Sequence, residues 1–320
     1  MGEPSSREQE LVVEAVASNL RLDAATAEVL RCFEAGGVRS VLLKGPALAD
    51  WYADDPKRSY MDSDLWVCPE DMSAAGDLLL QIGFRRYTGD QGLPDWWLEH
   101  ASTWSRESDG VVVDLHRRLQ GMGADPGSVW EALSGYRDTV ALAGYRAPIL
   151  SSQAKSLYVT LHAAHHGQGW GKALIHIERA LAVVPEATWK EAAELARELD
   201  ATDSFGTGLR LVPDGRALAD RLGLPPTQST AVALQASTPP PIALGFEQLR
   251  TAHGLWARVR IIARKLFPPP GFIRHWWPPA ARNRWMLLLG YLYRPMWLVR
   301  RAPQGFRAWR VARRQVSDSR

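Results

Sequence analysis

Partway along this chain the spacing of its apolar residues changes, and the change limits the folds open to it. Up to about residue 119, short β-rich runs recur: VRSVLLKG, SDLWVC, TWSRES and VVVDLHRRL. From Ser151 onward, SSQAKSLYVTLHAAHHG, GKALIHIERALAVV, PEATWKEAAELARELD and RALADRLGL all place apolar residues three and four apart. The first pattern belongs to strands and the second to one-sided helices. The expected fold class is therefore α+β, a small mixed sheet followed by a mainly helical carboxyl-terminal region. Two opening helices are expected from EQELVVEAVASNL and AATAEVLRCFEAGG, the second ended by Gly36 and Gly37. Pro46 suits the first position of a further helix, PALADWYA, and PEDMSAAGDLLLQIGF has helical period with an acidic first turn. Asp109-Gly110 joins the third and fourth strands as a hairpin.

A length of 320 residues suits two cores at about 150 residues per domain. The expected division is 1–150, catalytic in type with its opening helices, then 151–237, helical. A Pro-rich linker from Thr238 to Ile242 begins the last part, a basic Trp- and Arg-rich tail over 238–320. The net charge of +3 conceals a strong asymmetry: residues 1–249 hold 22 Lys and Arg against 34 Asp and Glu, whereas residues 250–320 hold 16 against 1. Cys32 and Cys68 are too few for a disulfide framework and neither lies in a CxxC, so a cytoplasmic setting is expected. The start MGEPSSREQELVVEAV lacks the apolar stretch of a secretory signal, and Glu3 argues against myristoylation of the Met-Gly start. The longest apolar run, Trp285 to Val299, contains Arg294 and Pro295 and falls short of the ~20 residues of a membrane span.

The chemistry centres on carboxylates. Asp62 and Asp64 flank Ser63 at the start of a strand, so the period of two turns both to one side, where they repel unless a cation lies between them. Hard oxygen ligands of this kind suit Mg²⁺, with Mn²⁺ as the alternative. Asp114 ends the apolar run VVVD, where an ionised group needs a partner or a metal, and His116 shares its side of the strand. His162 and His166 lie four apart on one helix face; Ala163 stands where a zinc protease motif needs Glu, and no third zinc ligand is evident. Two readings of that pair stand, packing with Trp170 or lining the cleft against nucleotide or acceptor.

These elements together resemble the nucleotidyltransferase superfamily with the DNA polymerase β-like catalytic fold, and more closely its uncharacterised bacterial branch. The matching residues are Leu43-Lys44-Gly45, then Arg58 and Asp62-Ser63-Asp64-Leu65, then Asp114-Leu115-His116, and finally LHAAHHGQGW followed by HIERAL. The resemblance implies transfer of a nucleoside monophosphate from an NTP, assisted by two Mg²⁺ ions on Asp62, Asp64 and Asp114. It makes Lys44, Gly45 and Arg58 triphosphate contacts, although a solvated turn lysine is the other reading of Lys44. The chain departs from the wider pattern where Pro46 follows Gly45 and where the segment before Asp62 is long. It departs from the closer branch where Glu178 replaces an Asp.

The acceptor is open: a small molecule, a peptide, a protein or an RNA end. A rival reading is a nucleotide- or metal-binding protein without turnover that acts through its helical half and basic tail. In that tail, HGLWARVRIIARKLF and NRWMLLLGYLYRPMWLVRRAPQGFRAWRVARR interleave apolar residues with Arg. A solvated helical face, peripheral docking on an anionic membrane, and nucleic-acid binding are the readings of that pattern.

Overall fold

The computed structural model describes residues 6–55, 58–87, 100–240 and 242–318. The Met-Gly start, Pro56 and Lys57 in the segment before Asp62, and Pro241 of the expected linker lie outside the described residues.

The chain opens with one helix, α1 (Ser6–Ala35), instead of the expected two. No glycine or proline interrupts those 30 residues, so nothing separates the two apolar repeats. Strand β1 (Ser40–Leu42) follows, and the segment after Pro46 forms a 3-10 helix, Gly45–Tyr52, tighter than the expected α-helix. Next come β2 (Ser63–Val67), α2 (Met72–Gln81), β3 (Arg85–Arg86), β4 (Ala101–Arg106) and β5 (Val111–His116). In the β4–β5 turn only Gly110 takes a positive φ, +70°. Helix α3 (Pro126–Ser134) follows, and the hairpin of β6 (Arg137–Leu142) and β7 (Tyr145–Leu150) completes the sheet; no clear period in the sequence marks these three. That hairpin turns on Ala143 and Gly144, both at positive φ, which lacks the Asn-Gly or Asp-Gly signal. Helix α3 is short, and its clearest mark is the Asp125 cap, whose carboxylate accepts from the backbone N–H of Gly127 and Ser128.

The seven strands form one mixed sheet in the order β3-β4-β5-β2-β1-β7-β6. β2 and β5 run parallel side by side, as do β1 and β7; the other pairings are antiparallel. Side chains alternate across it, and each face has its own core. Leu42, Leu65, Val67, Val113, Leu115 and Ile149 point to α1 and α2, meeting Phe33 and Leu79. Val41, Leu43, Trp66 and Leu150 point the other way and join a core that continues into the helices beyond residue 151.

Those helices are α4 (Ser152–His166), α5 (Gly171–Val183), α6 (Glu186–Glu198), α7 (Thr202–Leu209) and α8 (Pro213–Arg221). Leu157, Leu161, Ile177, Trp189 and Phe205 supply much of this second core. After α9 (Thr230–Ala236) and α10 (Ala243–Thr251) come α11 (Leu255–Leu266), α12 (Pro270–Trp276) and the long α13 (Arg284–Asp318). α13 passes through Pro295 and Pro303 without ending. It is anchored by a small core of Leu234, Ala243 and Ala312 and by Glu247, which is buried and accepts from Trp309 Nε1 at 2.8 Å and from Arg250. No described helix is long and apolar enough to cross a membrane.

Candidate active site on the sheet face beneath α4

Strand parity decides which side the carboxylates face. Asp64 stands in register beside Asp114, and Trp66 beside His116. Trp66 belongs to the core shared with α4, so Asp64, Asp114 and His116 all face the helical half and turn away from α1 and α2, and Asp62, just before β2, lies close enough for the charges of Asp64 and Asp114 to act on it. Neighbouring strands lie about 4.8 Å apart, which brings Asp64 and Asp114 close together.

Lys44 joins them because the chain continues pairing past β1: the Leu43 N–H donates to the Asp64 carbonyl at 2.9 Å. From the next position, Lys44 Nζ donates to Asp64 Oδ1 at 2.8 Å, and His116 Nε2 lies 2.9 Å from the same oxygen. Burial alone would favour a neutral Asp64. The Lys44 charge and the His116 contact overcome that cost and hold the carboxyl far below the usual range. Burial likewise works against the Lys44 ammonium, yet Tyr158, Asp64 and Asp62 push its pKa up.

The other two carboxylates respond in the opposite sense. Desolvation and the charges of Asp64 and Asp114 raise Asp62, which sits at the exposed rim. Desolvation raises Asp114 too, and the nearby Asp64 adds to it, although the Thr103 side chain, opposite it on β4, hydrogen-bonds to it and works against the rise. Asp114 Oδ1 is buried without a hydrogen-bond partner among the described residues. Three carboxylates thus crowd together, with Lys44 hydrogen-bonded to one of them.

Gly45 makes the turn at φ +59°, and a Cβ there would lie 3.3 Å from the Tyr60 ring. Arg58 closes that turn by donating from Nη2 to the Gly45 carbonyl at 2.9 Å, with its guanidinium 4.1 Å from the Tyr52 ring centre. Asn19 of α1 fixes this segment by donating to the Arg58 carbonyl and accepting from the Tyr60 N–H.

Above the carboxylates lies α4. Tyr158, His162, His166 and Trp170 form a file of rings with centres 6.0, 4.4 and 4.6 Å apart in turn. The two histidines pack on one another and on Trp170, and His162 also lies close enough to Lys44 to feel its charge. Burial, then Lys44 and His166, hold His162 well below its ordinary value. Further along, burial lowers His165 to about 4, and burial with Arg58 and Lys44 lowers His176 to about 4. These rings are neutral at pH 7. His176 Nδ1 hydrogen-bonds the Tyr52 hydroxyl, tying α5 to the 3-10 helix. Buried Lys155 of α4 does the same through the Ala47 carbonyl and Asp50.

All nine site residues expected from the sequence thus gather around one end of the sheet. Sequence reasoning missed Tyr52, Thr103, Tyr158 and His176. Tyr158 had a usable signal, being four residues before His162 and so on the same helix stripe. Glu178 is exposed, while neighbouring Arg179 pairs with Asp54 at 2.5 Å. Among the described residues no group of three His, Cys, Asp or Glu stands ready as a metal cage. The donor chemistry nevertheless suits a hard divalent cation: three carboxylates, two with raised pKa, and one buried oxygen without a partner among the described residues.

A family model described as uncharacterised nucleotidyltransferase matches residues 6–214. Among solved structures, the lincosamide antibiotic adenylyltransferase LnuA with lincomycin bound is 16% identical, with 49% of this chain and 94% of that chain covered and a TM-score of 0.34. An antigenic nucleotidyltransferase-like protein from Paracoccidioides brasiliensis is 15% identical, covering 58% and 92%, also with a TM-score of 0.34. No curated protein matches the chain.

Proposed function

The chain belongs to a family of uncharacterised nucleotidyltransferases, and from that premise we propose that it moves a nucleoside monophosphate from an NTP to an acceptor hydroxyl or phosphate. The observation that carries this reading is the in-register pair Asp64 and Asp114 with Lys44 held against Asp64. In the reaction the acceptor oxygen forms a bond to the α-phosphorus in line with the bond that breaks, and pyrophosphate leaves. Asp62, Asp64 and Asp114 would hold Mg²⁺ or Mn²⁺. When bound, such a cation neutralises charge building up on the phosphoryl oxygens.

The protein's own groups do the rest. Asp114, one of whose oxygens has no hydrogen-bond partner among the described residues, takes the proton of an acceptor hydroxyl. Lys44 donates to Asp64 and also contacts the Tyr158 hydroxyl, which leaves a donor for the triphosphate, and Arg58 offers its remaining donors beside the Gly45 turn. His116 holds the Asp64 carboxylate in place. The neutral face of His162 and His166 packs a base or an acceptor without adding charge.

A second reading, a binding protein without turnover, draws support from Asp64 Oδ1, which Lys44 and His116 already occupy. One experiment separates the two. Wild type and the variant Asp62→Asn/Asp64→Asn are supplied with each α-labelled NTP, Mg²⁺ and small-molecule, protein or RNA fractions as acceptor. Transfer by wild type alone supports the enzyme, and the mass added names the nucleotide. Transfer that persists in the variant overturns the site, binding without transfer favours the second reading, and absence of nucleotide binding overturns both.

A further inference from the structure

The carboxyl-terminal helices carry an apolar surface that the catalytic reading does not use. α13 packs on the rest of the chain along one stripe only: Gly290, Arg294, Gly305, Ala312 and Val316 are its buried residues. At 100° per residue these fall on one side of the helix. The packing there is close, since a Cβ on Gly305 would lie 2.2 Å from Ile242 and one on Gly290 would lie 2.7 Å from Ile273. The opposite stripe holds Trp285, Leu288, Leu292, Met296 and Val299, all exposed; Trp285 shows 77% of its surface and Val299 73%. At the same three- and four-residue spacing the stripe continues beyond Pro303 as exposed Arg307, Arg310 and Arg314. α11 repeats the pattern, with no buried residue, Leu255, Trp256, Val259 and Ile262 exposed, and Arg and Lys between them.

We propose that this face of α11 and α13 docks on an anionic lipid surface, the apolar ridge entering the headgroup boundary and the Arg row lying against lipid phosphates. The occupant follows from charge and shape. Residues 250–320 hold 16 basic residues and 1 acidic one, which matches a negative surface. A continuous aliphatic ridge matches acyl chains and finds nothing apolar along a sugar-phosphate backbone. A second copy paired in parallel on this face would set the two Arg rows against each other. Of the six tryptophans in these 71 residues Trp256 and Trp285 are exposed, and their rings suit the polar-apolar boundary of a bilayer.

The test is co-sedimentation of the full chain with vesicles of phosphatidylcholine alone or mixed with phosphatidylglycerol. The expected result is binding at least about tenfold stronger to the anionic vesicles, weakened by salt. Leu292→Glu/Met296→Glu, both surface positions, loses about tenfold or more while the thermal melt stays that of wild type. Arg307→Gln/Arg310→Gln/Arg314→Gln keeps weak binding and loses the preference for anionic lipid. Equal vesicle binding by wild type and the Leu292/Met296 variant, or no vesicle binding at all, overturns the proposal. So does tighter binding to single-stranded RNA that the variant leaves unchanged, or a dimer in sedimentation velocity that the variant dissociates.

Discussion

The sheet with α4 to α8 and the carboxyl-terminal α11 to α13 use similar residues to opposite ends. In the first region, apolar side chains such as Leu157, Leu161 and Trp66 are fully covered. In the second, Trp256 is 84% exposed, and of α13's larger side chains only Arg294 and Val316 are buried. Arg294 itself is covered by the rings of Phe272, Trp276 and Trp297. The contrast teaches that amphipathic spacing shows that a helix has an apolar face without showing what covers it. In α4 the chain covers the face itself, and in α13 it covers only the stripe opposite the most apolar one.

The sharpest way to break the comparison is through function. Asp64→Asn should lower nucleotide transfer on the order of 100- to 1,000-fold, by removing a charge at the centre of the site, while vesicle binding by the tail is unchanged. If one variant impairs both, the two regions are not separate devices.

Stability should divide the regions next. Leu157→Ala, in the covered core, should cost about 2–5 kcal/mol in denaturant unfolding. Gly208→Ala, whose Cβ would meet the Thr160 carbonyl at 2.2 Å where α7 crosses α4, should cost about 1–3 kcal/mol.

Acid should act on the first region too. His165 and His176 hold pKa values of about 4 when folded against an ordinary 6.5, so between those values the unfolded chain binds more protons. Stability should therefore be full above pH 6.5 and fall steadily towards pH 4. A urea titration at several pH values checks this, and His176→Gln should flatten the slope. The smallest effect belongs to the tail: Leu292→Ala should shift stability by no more than about 0.5 kcal/mol.

Much of the site was legible before the fold. Asp64, Asp114 and His116 lie on strands whose period of two puts them on one side, Asp62 stands just before the first of these strands, and Lys44 precedes a glycine turn. Tyr52 and His176 were not legible, because they are 124 positions apart and only the seating of α5 on the 3-10 helix brings them together. Thr103 was hidden in the same way, since its partner Asp114 depends on register across β4 and β5.

By itself, then, the sequence determined the α+β class, the segregation of charge, and the side of each strand or helix on which the candidate site residues stand. These follow from local period and composition, which need no distant partner. Only the tertiary structure decided that α1 is one helix, that β6 and β7 extend the sheet, and that Asp64 is held by both Lys44 and His116. It also decided which stripe of α13 is covered. Each of those depends on which elements pack together, and packing is settled by shape and burial between segments far apart in the chain.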